Sequence, residues 1–505
     1  MQMKRRDFIA GAASLFGWGI AFGPGAAFAA EPGTFSRGTP NLVFGILSDI
    51  HVRLVRKKGK ADKYEGLAMF RKALEWFRDH GVDAVTVSGD IADHGLVEEF
   101  KAVAGAWNAV FPGGKAPDGR HVEKLFVYGN HDWEGFKYGA NAKKIFGKNF
   151  MKHALRGDYA GNWERIMGES YSPVWRKEIK GYTFVGAHWV AGKCRGREET
   201  GVPQVPEWYR ENARTIDPSK PFFHLQHPPP KNTAHGPWLW GHDDGSLTKT
   251  LSAFPNAFAL TGHSHAPINS DRAIWQGAFT AIDVGSLKYT GLHYGGIPAI
   301  GRENDINEPS AMKENSYRVM NRINTQDGHQ GMIAKVFDDR IVFERWDFED
   351  LSPLGPDWVV PLPKKDPPAF AFEPRAKASV APEFPSGAAL SARMTTGKNR
   401  GGKNVQSREQ PVLELTIPAA NGKSGGRVFD YAIELAGADG RKETRYVLHE
   451  GCHRSPGSKR ANAPTVCRLA KRRLSVSGEV EIRVSPRNSF GKEGAAISTT
   501  FTIPS

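Results

Sequence analysis

Five clusters of residues able to ligate a metal stand in a fixed order along the chain. They are Asp49 and His51 in Ser48-Asp49-Ile50-His51, Asp90 in Ser88-Gly89-Asp90, Asn130 in Gly129-Asn130-His131-Asp132, His227, and His263 and His265 in Gly262-His263-Ser264-His265. Imidazole and carboxylate suit borderline divalent ions, and a carboxylate carries two oxygens with which to bridge a pair of them. Asp90, alone between clusters, is the bridging candidate. Two cations about 3.5–4 Å apart can clamp the attacking and leaving oxygens of a phosphoryl group and draw the pKa of a shared water toward ~7. The chemistry these residue types suit is hydrolysis of a phosphoester.

Such residues converge only if the chain brings distant loops together, and the pattern between the clusters does so. Asn41 to Leu47 reads as a strand, Leu67 to Phe77 has helical spacing (Leu67, Phe70, Leu74, Phe77), and Val82 to Val87 is a strand again. A helix over Val97 to Val110 and a strand over Lys124 to Tyr128 come next, and later strands cover Tyr182 to Ala187, Pro221 to Gln226, Phe258 to Thr261 and Phe279 to Val284. Alternating strands and helices imply an α/β fold with a mostly parallel sheet, in which ligands bind beyond the carboxyl ends of the strands. Every cluster lies at such an end.

In this order the blocks resemble the calcineurin-like metallophosphoesterase superfamily, whose pattern is D-x-H, GD, GNH followed by D or E, H, and GHxH. The resemblance spans roughly residues 40 to 350 and implies a four-layer αββα sandwich with two metal ions. It implies Asp49, His51 and His265 for one ion, Asp90 as the bridge, and Asn130, His227 and His263 for the other. It further implies that His131 stabilises the transition state or protonates the leaving oxygen, with Asp132 orienting it. For the middle histidine the sequence offers both His224 and His227; His227 ends its strand just before a proline run and is preferred. His94, His188 and His242 are read as loop or strand histidines beside a polar cleft. The ligand types admit Mn, Fe, Zn or Co alike. Asp93 stands where purple acid phosphatases carry a metal-binding Tyr, which argues against the iron–tyrosinate variant.

The ends of the chain set the context. Lys4-Arg5-Arg6-Asp7-Phe8-Ile9 precedes a short apolar stretch rich in Ala and Gly, with small residues at Ala27-Phe28-Ala29. Residues 1–29 are therefore expected to be a twin-arginine signal handled by the twin-arginine export machinery of a bacterium, with a periplasmic or secreted mature protein. No other segment has the ~20 apolar residues of a membrane span. The catalytic domain is placed at 38–350, and a Pro-rich linker at 351–377 follows a closing hairpin over Val336 to Trp346.

Residues 378–505 alternate polar and apolar positions in short runs, as in Val412 to Ile417, Val428 to Leu435, Val480 to Val484 and Ala496 to Ile503, and are expected to form a smaller all-β sandwich. The Tyr431 strand and Arg483 to Gly491 resemble a fibronectin type III or immunoglobulin-like module. The whole chain has a net charge of +14, and residues 371–505 hold 22 Lys and Arg against 12 Asp and Glu, so most of the basicity lies in this module. Its densest patches, Arg468 to Arg473 and Arg454 to Arg460, suggest either a soluble basic face or attraction to an anionic cell-envelope surface. Few aromatic residues interleave them, which disfavours single-strand nucleic-acid binding.

Three cysteines are present. Cys452 and Cys467 are close enough in sequence to pair in an oxidising compartment, which leaves Cys194 over. Loops 133–180 and 190–215 would set specificity for a small phosphoester, and Trp133, Tyr138, Trp163 and Trp208 could stack on a base or sugar or simply pack. The reading is an exported phosphoesterase acting on a phosphodiester or phosphomonoester. The alternatives are a periplasmic nucleotidase or acid phosphatase, a metal-dependent nuclease, and a non-enzymatic adhesion or scaffold protein.

Overall fold

The structure is a computed structural model and describes residues 38–57, 59–137, 140–194, 197–235, 243–290, 328–398, 409–422, 427–458 and 460–504. The signal expected at 1–29, Tyr138 and His242 lie outside these residues.

The first elements run β1 (Leu42–Leu47), α1 (Leu67–Asp79), β2 (Ala84–Ser88), α2 (Val97–Val110) and β3 (Glu123–Val127). They continue with β4 (Val174–Ile179), β5 (Tyr182–Ala187), α3 (Val205–Asn212), β6 (Phe222–Gln226), α4 (Ser246–Leu251) and β7 (Ala257–Thr261). Then come β8 (Ile274–Gln276), β9 (Thr280–Asp283), β10 (Gln330–Val336) and β11 (Arg340–Asp347). In one sheet β1, β2 and β3 are parallel and β10 joins β1 antiparallel. In the other, β5, β6, β7 and β9 are parallel, flanked by antiparallel β4 and β8.

Period-two alternation makes the layers. Phe44 and Ile46 of β1, Leu125 and Val127 of β3, and Met332 and Ala334 of β10 face Phe184, Phe223, Leu225, Leu260 and Ile282 of the second sheet in one buried core. The opposite face of the first sheet, with Val85, Val87 and Ile333, packs on Phe70, Leu74 and Phe77 of α1 and Phe100, Val103 and Trp107 of α2. Gly45 of β1 is needed there, since a Cβ would lie 2.6 Å from the Phe77 ring. The outer face of the second sheet packs on Val205 and Tyr209 of α3 and Leu247 and Leu251 of α4. The result is the expected αββα arrangement, and apolar helix spacing and strand alternation suffice to explain it.

The segment 351–377 is no free connector. Within it β12 (Ser352–Pro353) and β13 (Trp358–Pro361) pair with β11, and Trp358, Val360 and Phe370 enter the core between the sheets. Prolines suggested a linker, yet Pro353 and Pro361 close their strands at positions where a missing N–H costs little. The first folded unit therefore extends past 350.

The C-terminal region is all β. Strands β14 (Ser391–Lys398), β15 (Glu409–Ile417) and β18 (Thr465–Ala470) form one antiparallel sheet. Strands β16 (Asp430–Gly437), β17 (Lys442–Leu448), β19 (Gly478–Arg487) and β20 (Ile497–Ile503) form the other. Leu413, Leu415, Ile433, Leu435, Ile482 and Val484 share the core between them. Three of these strands, β14, β17 and β18, carry no apolar alternation distinct enough to be read from sequence. Cys452 and Cys467 are separate buried thiols rather than a disulfide, and burial pushes both thiols up. The side chain of Cys194 lies outside the described residues. Among the described residues no helix is long and apolar enough to cross a membrane.

Candidate metal centre

The parallel strands deliver the clusters to one place. Asp49 and His51 follow β1, Asp90 follows β2, Asn130 follows β3, His227 follows β6, and His263 and His265 follow β7. The backbone leaves each strand abruptly: Asp49, His51, Asp90, His263 and His265 all adopt positive φ, between 45° and 69°. For residues with a Cβ this conformation costs roughly 1–2 kcal/mol each, and it persists only where the surroundings over-determine it. Gly262 permits the closest approach of two of these loops, because a Cβ there would lie 1.8 Å from Ser48 Oγ and 2.4 Å from Asp49 Oδ2.

The seven side chains meet around Asp90. Its Oδ2 lies 3.4 Å from His51 Nε2 and 3.2 Å from His227 Nε2. On one side, His265 Nε2 stands 2.9 Å from Asp49 Oδ1 and 3.1 Å from His51 Nε2. On the other, Asn130 Oδ1 is 2.9 Å from both His227 Nε2 and His263 Nδ1, which are 3.1 Å from each other. Ligand atoms of Asp49, His51, Asp90 and His265 all lie within 4.8 Å of one another. His224 takes no part, since it is buried between the Tyr209 hydroxyl at 3.0 Å and Gln226 Oε1 at 2.7 Å.

The donor set fits cations. Main-chain carbonyls of Ser88 and Tyr289 face Nδ1 of His227 and His265 at 2.7 and 3.2 Å, and the Asp93 carboxylate faces Nδ1 of His51 at 3.1 Å. Each partner can only accept, so each Nδ1 carries its proton and each Nε2 turns a lone pair toward the centre. Two such lone pairs, on His51 and His265, then face each other at 3.1 Å, and Asp49 Oδ1 is buried with no hydrogen-bond donor aligned on it. Electrostatics agree. Burial opposes charge on His51, yet Asp49, Asp93 and Asp90 push its pKa up to about 10. Burial likewise opposes charge on His227, and Asp90 and Asp49 push it up to about 9. Burial would raise Asp49, but His265 and His227 hold it well below the usual carboxylate range. The carboxylates demand positive charge within the cluster, and metal ions would supply it in place of protons.

His131 stands beside this group, its ring edge-on to His51 with centroids 4.5 Å apart. Its backbone N–H donates to Asp90 Oδ1 at 2.8 Å, and its Nδ1 donates to the Asp93 carbonyl at 2.8 Å. Asp132, expected to orient it, does something else. Its carboxylate accepts the backbone N–H groups of Ala92 at 2.7 Å, Ile91 at 3.1 Å and Gly129 at 2.7 Å, so it clamps the loop after β2 to the loop after β3. Burial, with repulsion from Asp90, pushes its pKa up to about 7 against the pull of those amides.

Asp93 is the residue that sequence reasoning undervalued: its carboxylate holds His51 and its carbonyl holds His131. The signal was only its place three residues after Asp90. Trp189 was missed as well; it is buried with its ring centroid 5.9 and 5.8 Å from those of His227 and His263. Of the proposed stacking residues, the three described tryptophans pack against the protein. Trp163 is buried against Phe100, Tyr128 and His188, Trp208 of α3 is half-buried against the core under that helix, and Trp133 sits against Tyr159 and Arg156. His188 belongs to the same core, and His94 pairs with Glu99 at 3.0 Å.

The sequence model described as Calcineurin-like phosphoesterase matches residues 42–267. No curated protein matches the chain. Among solved structures, a dimetal phosphatase from Danio rerio is 14% identical, covers 61% of this chain and 96% of its own, and has a TM-score of 0.32. The purple acid phosphatase PPD1 from yellow lupin (Lupinus luteus) is 13% identical, with 62% and 53% covered and a TM-score of 0.36. GAP50, the anchor in the inner membrane complex of Plasmodium, is 13% identical, with 64% and 90% covered and a TM-score of 0.36. Overlap of this extent is partial and adds nothing to the assignment of the centre. Residues 42–267, ending just past the last of the converging histidines, are a calcineurin-like phosphoesterase domain.

Proposed function

We propose that the chain is an exported phosphoesterase that holds two metal ions, one among Asp49, His51, Asp90 and His265 and the other among Asp90, Asn130, His227 and His263. The observation that carries this is the convergence of all seven side chains around Asp90 Oδ2, with imidazole lone pairs turned inward. When bound, the ions would act as Lewis acids toward a phosphoryl group and lower the pKa of a water at neutral pH.

The chain's own residues do the rest. Asp90, held by the His131 amide, keeps the two halves of the centre in register. Asp93 fixes the ring planes of His51 and His131 together, so that His131, with one proton on Nδ1, leaves Nε2 as the atom that would take up a second proton from solvent and pass it to the departing oxygen. Burial lowers the pKa of His131 and favours the neutral ring at rest.

Export rests on Arg5-Arg6 and the short apolar stretch after them. The substrate is a small phosphodiester or phosphomonoester. A role as a scaffold alone would leave the strained backbone at five of the seven residues without a purpose. The purified chain, assayed on p-nitrophenyl phosphate and its bis ester with Mn, Zn, Co and Fe, is expected to turn over at least one of them, and Asp90→Ala to lose bound metal and turnover together. Metal-loaded protein inert toward both esters, or an active Asp90→Ala variant, would overturn the reading.

A further inference from the structure

The loop between β17 and β18 of the C-terminal sandwich is unusual for a connection, because its residues from His449 to Ser455 are buried save for a half-buried Glu450. It is buried against the first domain, directly behind the last pair of histidines. Two routes run from it to His265.

The first follows the backbone beyond His265. Ala266 and Ile268 are buried, and the Ile268 amide donates to Gln330 Oε1 at 2.8 Å. The same Gln330 donates through Nε2 to the carbonyl of His453 at 2.7 Å, so one side-chain amide joins the segment after His265 to the second domain. Next to it, Asn269 Nδ2 donates to the carbonyl of Arg454 at 3.1 Å. The second route follows the carbonyl of Tyr289, which faces His265 Nδ1 at 3.2 Å. Its neighbour Thr290 is buried, and it and the loop crowd the same glycine: a Cβ on Gly328 would lie 2.9 Å from Thr290 Cγ2 and 3.0 Å from His453 Cδ2. The segment starts from Ser286, whose carbonyl accepts the Gln330 amide at 2.8 Å.

His265 needs this support, since its own φ is +52° and that of His263 is +69°. The part of the loop before His265 is held within the first domain, by Gly262 N on the His227 carbonyl, His263 N on Asp49 Oδ2 at 3.0 Å, and Ser264 Oγ on Asp283. The part after His265 is held within the first domain by Ala266 N on Ser264 Oγ at 2.8 Å, by Ile268 N on Gln330 Oε1 and by Arg345, which donates to the Ile268 carbonyl at 2.9 Å, and it is tied to the second domain through Gln330 Nε2 and Asn269 Nδ2. Groups behind a metal ligand typically change metal affinity 10- to 100-fold when removed.

We infer that the C-terminal sandwich is a working part of the metal centre: its 449–455 loop positions His265, with Gln330 and Asn269 as the positioning residues, so that one of the two ions is held only as well as this docking permits. The inference rests on the metal reading proposed above. It also gives the basic module an intramolecular task, and removes Arg454 from the exposed basic patch, because that residue is buried at the junction.

The full chain, stripped with chelator and titrated with Mn2+ by calorimetry, tests it. Wild type is expected to show two sites. Gln330→Leu, which keeps the bulk and loses both hydrogen bonds, should weaken one site by about 10-fold or more and leave the other within about threefold. Turnover should return at saturating Mn2+, because no reacting group is altered. Asn269→Ala, a milder change, should weaken the same site by a few-fold, and it decides the matter if Gln330→Leu does not fold. Folded variants that bind both ions as wild type does would overturn the inference while leaving the proposed function intact. Wild type that binds no Mn2+ and no other divalent ion would instead overturn the proposed function.

Discussion

Asp132→Asn separates two roles for a residue that sequence alone places in catalysis. In the structure its Oδ2 gathers the amides of Ile91 and Gly129, and its Oδ1 takes that of Ala92. An Asn can place its carbonyl where two amides converge, and its NH2 then faces the remaining N–H, so one buried donor loses its acceptor at a cost of about 1–3 kcal/mol. For a domain of this size 1 kcal/mol moves Tm by roughly 2–4 °C, so a fall of roughly 2–12 °C is expected at pH 5. The sign with pH follows from the raised pKa of about 7. The stability this proton contributes is complete below the unfolded value near ~3.9 and is lost as pH rises through 7, whereas Asn does not titrate. The gap in Tm between wild type and variant should therefore narrow from pH 5 to pH 8. Calorimetric melts at the two pH values, beside the pH profile of kcat/KM, measure both sides. Turnover more than 100-fold lower with a displaced pH limb and an unmoved Tm would refute the clamp and return Asp132 to the task of orienting His131.

Two other side chains divide the roles at the centre. His131→Ala should keep bound metal, read by elemental analysis, while kcat falls by roughly 10²–10⁴-fold, the range of general acid–base catalysis. Asp93→Ala takes the carboxylate from His51 Nδ1 and should weaken metal binding by about 10- to 100-fold in a calorimetric titration, with the Asp93 carbonyl still available to His131.

Much of this protein was readable from the one-dimensional pattern, because local physics fixes it. The apolar spacing in Leu67–Asp79 and Val97–Val110 matches the two helices closely, and the parallel strands β1, β2, β3, β6 and β7 each end where a ligand cluster begins. Period-two alternation also announced β15, β16, β19 and β20, but not β14, β17 or β18, whose edge positions in their sheets relax the demand for apolar residues. Residue type alone proposed which side chains could ligate. Only the tertiary structure decided what stands behind them: that Asp132 binds amides, that Asp93 holds two histidines, and that a second domain supports His265. Those contacts are made by backbone carbonyls, backbone amides and long-range neighbours up to 185 residues apart, as between Asn269 and Arg454. A carbonyl has the same chemistry at every position, so its use is set by where folding puts it and leaves no mark in the residue types.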